Sequence, residues 1–340
     1  QIFDIVQDSR GIMYFSNQKG IYEYDGTKWT NIPIGKEDLR CLSLARGEDG
    51  LIYAGANGDF GVLKPDAVGN LQFVSELEHL GIDSIGRVAK IIIQVNKKYL
   101  KTDDALFVIT PEGMEIITPE TQIEDIYFLD NKLYVLQEGL GLFVLKGKGL
   151  KDMEDGEQFS TRTVIAALRF GDRNLFFTEQ DGVYEISNTG RLVKRNIFDG
   201  MSLLSAIKIN DDLISLGTSS NGIIVVDKKF NTVYSIGIEK GLIDAAIKAQ
   251  FIDTEKNLWL GTNVGISKIE IGSPVLKFGL YSGLQGTVEG LASFNNRLYV
   301  ASQNGLYGMN DNGFFENIGS IEKDCYGFQM FPNENDTLLL

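Results

Sequence analysis

The chain contains one histidine, His79, and two cysteines, Cys41 and Cys325. A single imidazole cannot build the His clusters that propeller-type lyases and lactonases converge on a substrate. The cysteines lie far apart in apolar stretches, and neither has a neighbour at metal-ligand spacing. Two buried free thiols are therefore expected rather than a disulfide. Apolar runs are short, as in Ile223-Ile224-Val225-Val226, and none approaches the ~20 residues of a membrane-spanning helix. Basic residues are outnumbered, 32 against 46 acidic ones, for a net charge of −14. That balance excludes a nucleic-acid partner and an anionic membrane surface, since both need Lys and Arg in excess. An initiating Met is absent too: the chain starts at Gln1 already in a strand-like pattern and reads as a processed or excised piece.

What the chain does have is glycine, 38 residues against six prolines, and 43% hydrophobic content over 340 residues. These numbers fit a large core built from many short ordered segments joined by tight turns. The segments repeat. Asn257-Leu258-Trp259-Leu260-Gly261-Thr262-Asn263-Val264-Gly265-Ile266 has counterparts at Gly11–Ile21 and at Arg297–Leu306. Taking in each unit the glycine read as opening its second strand gives Gly20, Gly61, Gly113, Gly141, Gly182, Gly222, Gly265 and Gly305. Most spacings fall between 40 and 43, and the two misfits, 52 and 28, together make two ordinary units. Five units carry an aromatic six residues ahead of that glycine: Tyr14, Phe107, Phe176, Trp259 and Tyr299.

A period near forty with short strands predicts an all-β fold, a β-propeller of four-stranded blades. In the clearest unit, Ile247–Asp253 and Leu258–Leu260 form the first two strands, Ile266–Glu270 the third and Val275–Phe278 the fourth. The middle strands are apolar on both faces because neighbouring blades cover both. Helix is confined to a turn or two around 75–80. Eight units are readable and a ninth begins at Cys325–Phe331, then breaks off after Thr337–Leu340. Closure as seven or as eight blades fits; with seven, residues 325–340 belong to a second ring truncated here. The 28-residue spacing leaves little room for an outermost strand, so the blade around Met114 is expected to be incomplete.

At Asp8–Ile21 and Asp253–Ile266 the pattern resembles the two-component regulator propeller repeat. That repeat builds the extracytoplasmic sensor regions of bacterial hybrid histidine kinases and related one-component regulators. Tyr53–Asp66 and Gly283–Val288 are similar to segments of sensors in which a triple-tyrosine domain and a membrane span follow the propeller. The resemblance covers nearly the whole chain and implies a periplasmic, ligand-sensing region. Two features depart from it: the middle units carry Leu106-Phe107-Val108 and Leu133-Tyr134-Val135 in place of the Trp-x-Gly core, and no triple-tyrosine domain, span or kinase follows Leu340. The membrane-spanning and output parts are expected to be missing from this chain.

Enzymatic motifs fail one by one. Tyr24-Asp25-Gly26-Thr27-Lys28-Trp29 lacks the Ser and the spacing of a sialidase box and reads as a D-G hairpin. Calcium loops are absent. Gly147-Lys148-Gly149 lacks the residues of a phosphate loop. Asp103-Asp104 and Asp211-Asp212 sit in turns, where solvated roles prevail. Neither a Gly-His nor a Trp-Asp dipeptide occurs, against a WD40 scaffold. No catalytic residue, metal or cofactor is expected.

Function is therefore sought in the loops. In an up-and-down meander the turns between second and third strands share a face with the links that lead into each blade. Those turns hold Asn17, Asn57, Asp59, Glu138, Gln180, Asn221, Asn263, Gln303 and Asn304, and the lead-in links add Arg40, Arg87 and Arg162. Such a ring suits an oligosaccharide or, through arginine, a sugar acid or peptide terminus. The alternative is that turn chemistry alone selects these residues and that the propeller serves dimerisation, as a homodimer, or partner docking.

Overall fold

The computed structural model describes residues 1–35, 39–271, 282–310, 313–318, 325–327, 329–330 and 338–339. They form nine antiparallel sheets, with helix limited to Leu77–Leu80 and two short 3₁₀ turns. The chain divides into two compact units, 1–238 with 242–271, and 239–241 with 272–340.

The first unit is a ring of seven sheets. Six have four strands in chain order, and the first is Ile2–Gln7, Met13–Asn17, Gly20–Tyr24 and Trp29–Ile32. The seventh shows Ala249–Ile252, Asn257–Gly261 and Ile266–Glu270. The fourth strand expected at 275–278 lies outside the described residues. First strands touch one another in succession around the ring, and the seventh touches the first again. Burial follows from that arrangement. Second strands such as Met13–Asn17, Ile52–Ala56 and Ile214–Thr218 are buried at every position because a blade lies against each face.

At five junctions of the ring a backbone hydrogen bond joins a blade's second-to-third-strand turn to the lead-in of the next. Val88 N–H donates to Ala56 O at 3.0 Å, Ile123 to Asp103 at 2.8 Å, Leu203 to Glu179 at 2.7 Å and Ile247 to Thr218 at 3.0 Å. The last in the series is Ile2 N–H to Thr262 O, 3.0 Å, so the seventh blade is joined to the first by the bond seen at four other junctions. Around it Ile2, Ile5, Met13 and Phe15 pack on Ala249 and Trp259. Of the two expected counts, this unit closes at seven. Gly55 shows what the close approach demands: a Cβ there would stand 2.7 Å from Val88 O and 2.7 Å from Ser43 Oγ.

Three expectations need correcting. The recurring glycines lie at or just before the third strand, as Gly20 and Gly141 do, not the second. Gly113 opens a fourth strand, Gly113–Ile117. The third strand of that blade, Leu106–Thr110, starts without a glycine, which is why the spacing read 52 and then 28. The blade around Met114 is therefore complete, and Tyr99, not Phe107, is its second-strand aromatic.

The second unit contains a four-stranded sheet, Val288–Phe294, Arg297–Ser302, Gly305–Met309 and Phe315–Asn317. Its turn carbonyl, Ser302 O, accepts from Cys325 N–H at 3.0 Å. Gln329–Met330 pairs with Leu338–Leu339. Cys41 and Cys325 are both buried, and neither forms a disulfide.

Candidate functional site

In the seven-blade ring the second-to-third-strand turns and the lead-in links share one face, as the hydrogen bonds between them require. Asn57 N–H donates to Arg40 O, Glu138 to Gln122, Glu179 to Thr163 and Ser219 to Ser202. The residue closing each of these turns is a threonine in four blades: Thr102, Thr178, Thr218 and Thr262. Each hydroxyl works twice. Thr178 Oγ1 donates to Gly182 O and accepts from Asp181 N–H, and Thr218 does the same with Gly222 and Asn221. Thr102 and Thr262 repeat the pattern with Ala105 and Gly265.

The polar residues expected on this face divide into those with partners and those turned outward. Arg87 grips Asp103 with two hydrogen bonds, 2.9 and 2.7 Å, and Lys101 Nζ adds a third contact at 3.2 Å. The Arg87 guanidinium foremost, with Lys101, holds the Asp103 carboxyl down at about 2. Arg162 pairs with Asp181, bonds Gln158 O and lies over the Tyr184 ring at 5.9 Å. Arg40 is exposed. Asp59 accepts from Ser75 Oγ at 2.6 Å. The remaining turns are held through their backbone: Asn221 N–H bonds Thr218 Oγ1, Asn263 N–H bonds Asp244 at 3.3 Å, Gln180 O accepts from Gly200, and Glu138 O accepts from Thr121 Oγ1. In the second unit, Gln303 Nε2 reaches Glu289 at 3.3 Å and Asn304 N–H bonds Ser302 Oγ. The arginines at comparable lead-in positions are thus not alike: two are clamped to aspartates of their own blade.

A cavity of about 580 Å³ opens between the first and seventh blades, at the turn face. Asn17, Lys19, Tyr22 and Trp29 line one side, Val264 and Ile266 the other. Trp29 is 45% exposed, large for an indole in a packed sheet. Tyr24 stacks on it at 4.4 Å, and the Tyr22 ring stands perpendicular to it at 6.5 Å. Asn17 occupies the position that threonine holds elsewhere, and is 5% exposed. Its Oδ1 accepts from Lys19 N–H at 2.6 Å, which fixes the amide orientation. Its Nδ2 has no acceptor, one of two buried side-chain polar atoms so left among the described residues.

Sequence reasoning missed a polar girdle on the innermost strands, two residues in from the lead-in in five of the seven blades, with Ala166 and Ala249 at the position in the other two. Asp4 takes N–H bonds from Leu44 of the next blade and from Ile5, each 2.9 Å. Ser43 Oγ reaches Val88 O, Lys90 reaches Asp125 at 2.7 Å, and Ser205 Oγ reaches Ile247 O at 2.8 Å. Removal from water pushes the Asp4 carboxyl up to about 6 in spite of these bonds and of Lys90. A fixed offset from each repeat start was the available signal.

Nothing among family models or curated proteins matches the chain. Solved structures do, and they define the class as a β-propeller. The extracellular domain of BT3049 from B. thetaiotaomicron, described as a hybrid two-component system, superposes with a TM-score of 0.68 at 17% identity over 97% of this chain and 49% of its own. That of BT4673 from the same organism, described as a one-component system, gives 0.65 at 18% over 99% and 49%. A streptogramin B lyase gives 0.59 at 13% over 78% of this chain and 92% of its own. The likeness to the two extracellular domains matches at the level of fold the resemblance read from the repeats. The chain spans about half their length. Among the described residues no helix is long and apolar enough to cross a membrane.

Proposed function

We propose that this chain is the ligand-sensing propeller of an extracytoplasmic bacterial receptor, working on the periplasmic side of the inner membrane and binding an oligosaccharide or sugar acid on its turn face. One observation carries the reading: a cavity of small-ligand size opens on the face where the polar turns converge. The fold-level likeness to extracellular domains of two-component and one-component systems supports it. Membrane-spanning and output parts, and a further ring that includes residues 325–340, belong to the same proposal. We read the chain as non-catalytic. Asp103 and Asp181, acids on the turn face, are engaged by Arg87 and Arg162, and His79 is exposed on its short helix.

A thermal-shift screen of the purified chain against neutral oligosaccharides, sugar acids and peptides tests this. A ligand at a hundred times its dissociation constant adds about 2.7 kcal/mol. Stabilisation confined to one glycan class is the expected result, and silence across the panel contradicts it.

A second reading, docking or homodimerisation, draws on Ile243 and Val264, which are 55% and 67% exposed on the same rim. A ligand-free dimer in light scattering that Val264→Asp dissociates would favour it.

A further inference from the structure

We infer that the cavity between the first and seventh blades is the recognition site, and that its ligand is a saturated ring bearing a carboxylate, the chemistry of a uronic acid. The inference rests on the sensing reading and names the site and ligand class within it.

Three features of the cavity point the same way. The first is the unused donor. At the four threonine turns the hydroxyl both donates and accepts within its own turn, leaving nothing over. Asn17 performs only the accepting half, for Lys19 N–H, and its buried Nδ2 is left without an acceptor. A buried donor without a partner costs roughly 1–3 kcal/mol, so an acceptor that meets it recovers what the empty site gives up. The second is the sign of the wall. The lining groups with polar ends include the Asn17 and Gln18 amides and Lys19, and no Asp or Glu lines it among the described residues. Donors and a cation without an acid select an anionic or acceptor-rich group. The third is the aromatic corner. Tyr24 covers one face of the Trp29 indole, and Tyr22 stands at 89° to it. A ring laid on one of these aromatics presents its edge to the other, and their negative faces attract the C–H bonds of a saturated ring.

The parts are placed for one ligand. Asn17 and Lys19 sit on the turn at the cavity mouth, while Tyr22 and Trp29 lie further along the outer strands of the same blade. A carboxylate held at the mouth sets the ring against the aromatics. The volume, about 580 Å³, suits one or two sugar residues.

The test uses digalacturonate and a neutral disaccharide as probes. The chain has two tryptophans. Trp259 is buried and Trp29 exposed, so quenching by acrylamide reports on Trp29. Digalacturonate should protect Trp29 saturably, and the neutral disaccharide at least tenfold more weakly. Asn17→Asp keeps the acceptor for Lys19 N–H and replaces the free donor with a negative oxygen. It should weaken digalacturonate at least tenfold; the buried carboxylate lowers the melting temperature as well, so binding is measured on protein shown to be folded by circular dichroism. Trp29→Ala, a change at an exposed position, should weaken digalacturonate likewise in calorimetry. Lys19→Ala should erase the preference for the acid over the neutral sugar. If digalacturonate leaves Trp29 unprotected, or binds both Asn17→Asp and Trp29→Ala at wild-type affinity, the inference is overturned. The sensing reading then stands or falls separately: it survives if another member of the thermal-shift panel stabilises the chain, and fails with silence throughout.

Discussion

Ile2 and Thr262, at opposite ends of the first unit's sequence, are joined by a 3.0 Å backbone hydrogen bond that repeats the bond between Ile247 and Thr218. Their pairing closes the ring at seven blades, and the cavity assigned to the ligand opens beside it. Closure and recognition are therefore properties of one seam.

The seam depends on Phe15, which is fully buried and packs on Trp259 with ring centroids 5.6 Å apart. Phe15→Ala should destabilise the chain by about 3–5 kcal/mol in denaturant unfolding, the ordinary cost of emptying an aromatic core position. A loss under about 1 kcal/mol would mean that the seam contributes little to the ring.

Gly55→Ala places a methyl against Val88 O and Ser43 Oγ, where neither the backbone nor the neighbouring blade has room. The expected cost is about 1–3 kcal/mol by the same measurement. A neutral or stabilising result would show that the blades part easily there.

Arg87 is clamped by Asp103 at the exposed turn face. Arg87→Ala should cost no more than about 1 kcal/mol, the usual range for such pairs, and leave digalacturonate affinity unchanged. A large loss of affinity would move the site from the seam to the ring of lead-in arginines, where the residue pattern alone places it.

Two aspartates give pH dependences of opposite sign. The Asp4 carboxyl is pushed up to about 6, above its unfolded value near 4. Its contribution to stability is present below pH 4 and is lost as pH rises towards 6. Asp103, held at about 2, contributes above pH 4 and loses that contribution as pH falls towards 2. Asp4→Asn should flatten the melting temperature between pH 4 and 6. Asp103→Asn should flatten it between pH 4 and 2. A wild-type slope retained in either variant contradicts the assignment.

The ring was legible in the sequence because a few positions are under the same constraint in blade after blade. Trp259 and Tyr14 must fill the same inter-blade space, and Gly261 and Gly55 must admit the next blade. Register was lost where that constraint lapses: Ala105 stands before the third strand of the third blade in place of a glycine, and Gly113 stood in for it one turn late. The turn face was legible as a set of residues, since strand order alone fixes which turns share a face. Partners were not. Arg87 with Asp103 and Asp4 with Leu44 depend on how side chains and blades meet. The cavity was least legible of all, because it exists only once residues 2 and 262 are brought together, and the significance of Asn17 appears only beside four threonines that leave no donor free.

Hydrogen exchange with and without digalacturonate tests the central claim most directly. The account predicts added protection at the seam, in the turns at 17–20 and 263–265 and at the Ile2 amide, with the turns of the other blades unchanged. Protection at the turns around Arg87 and Arg162, or none at the seam at saturating sugar, would contradict it.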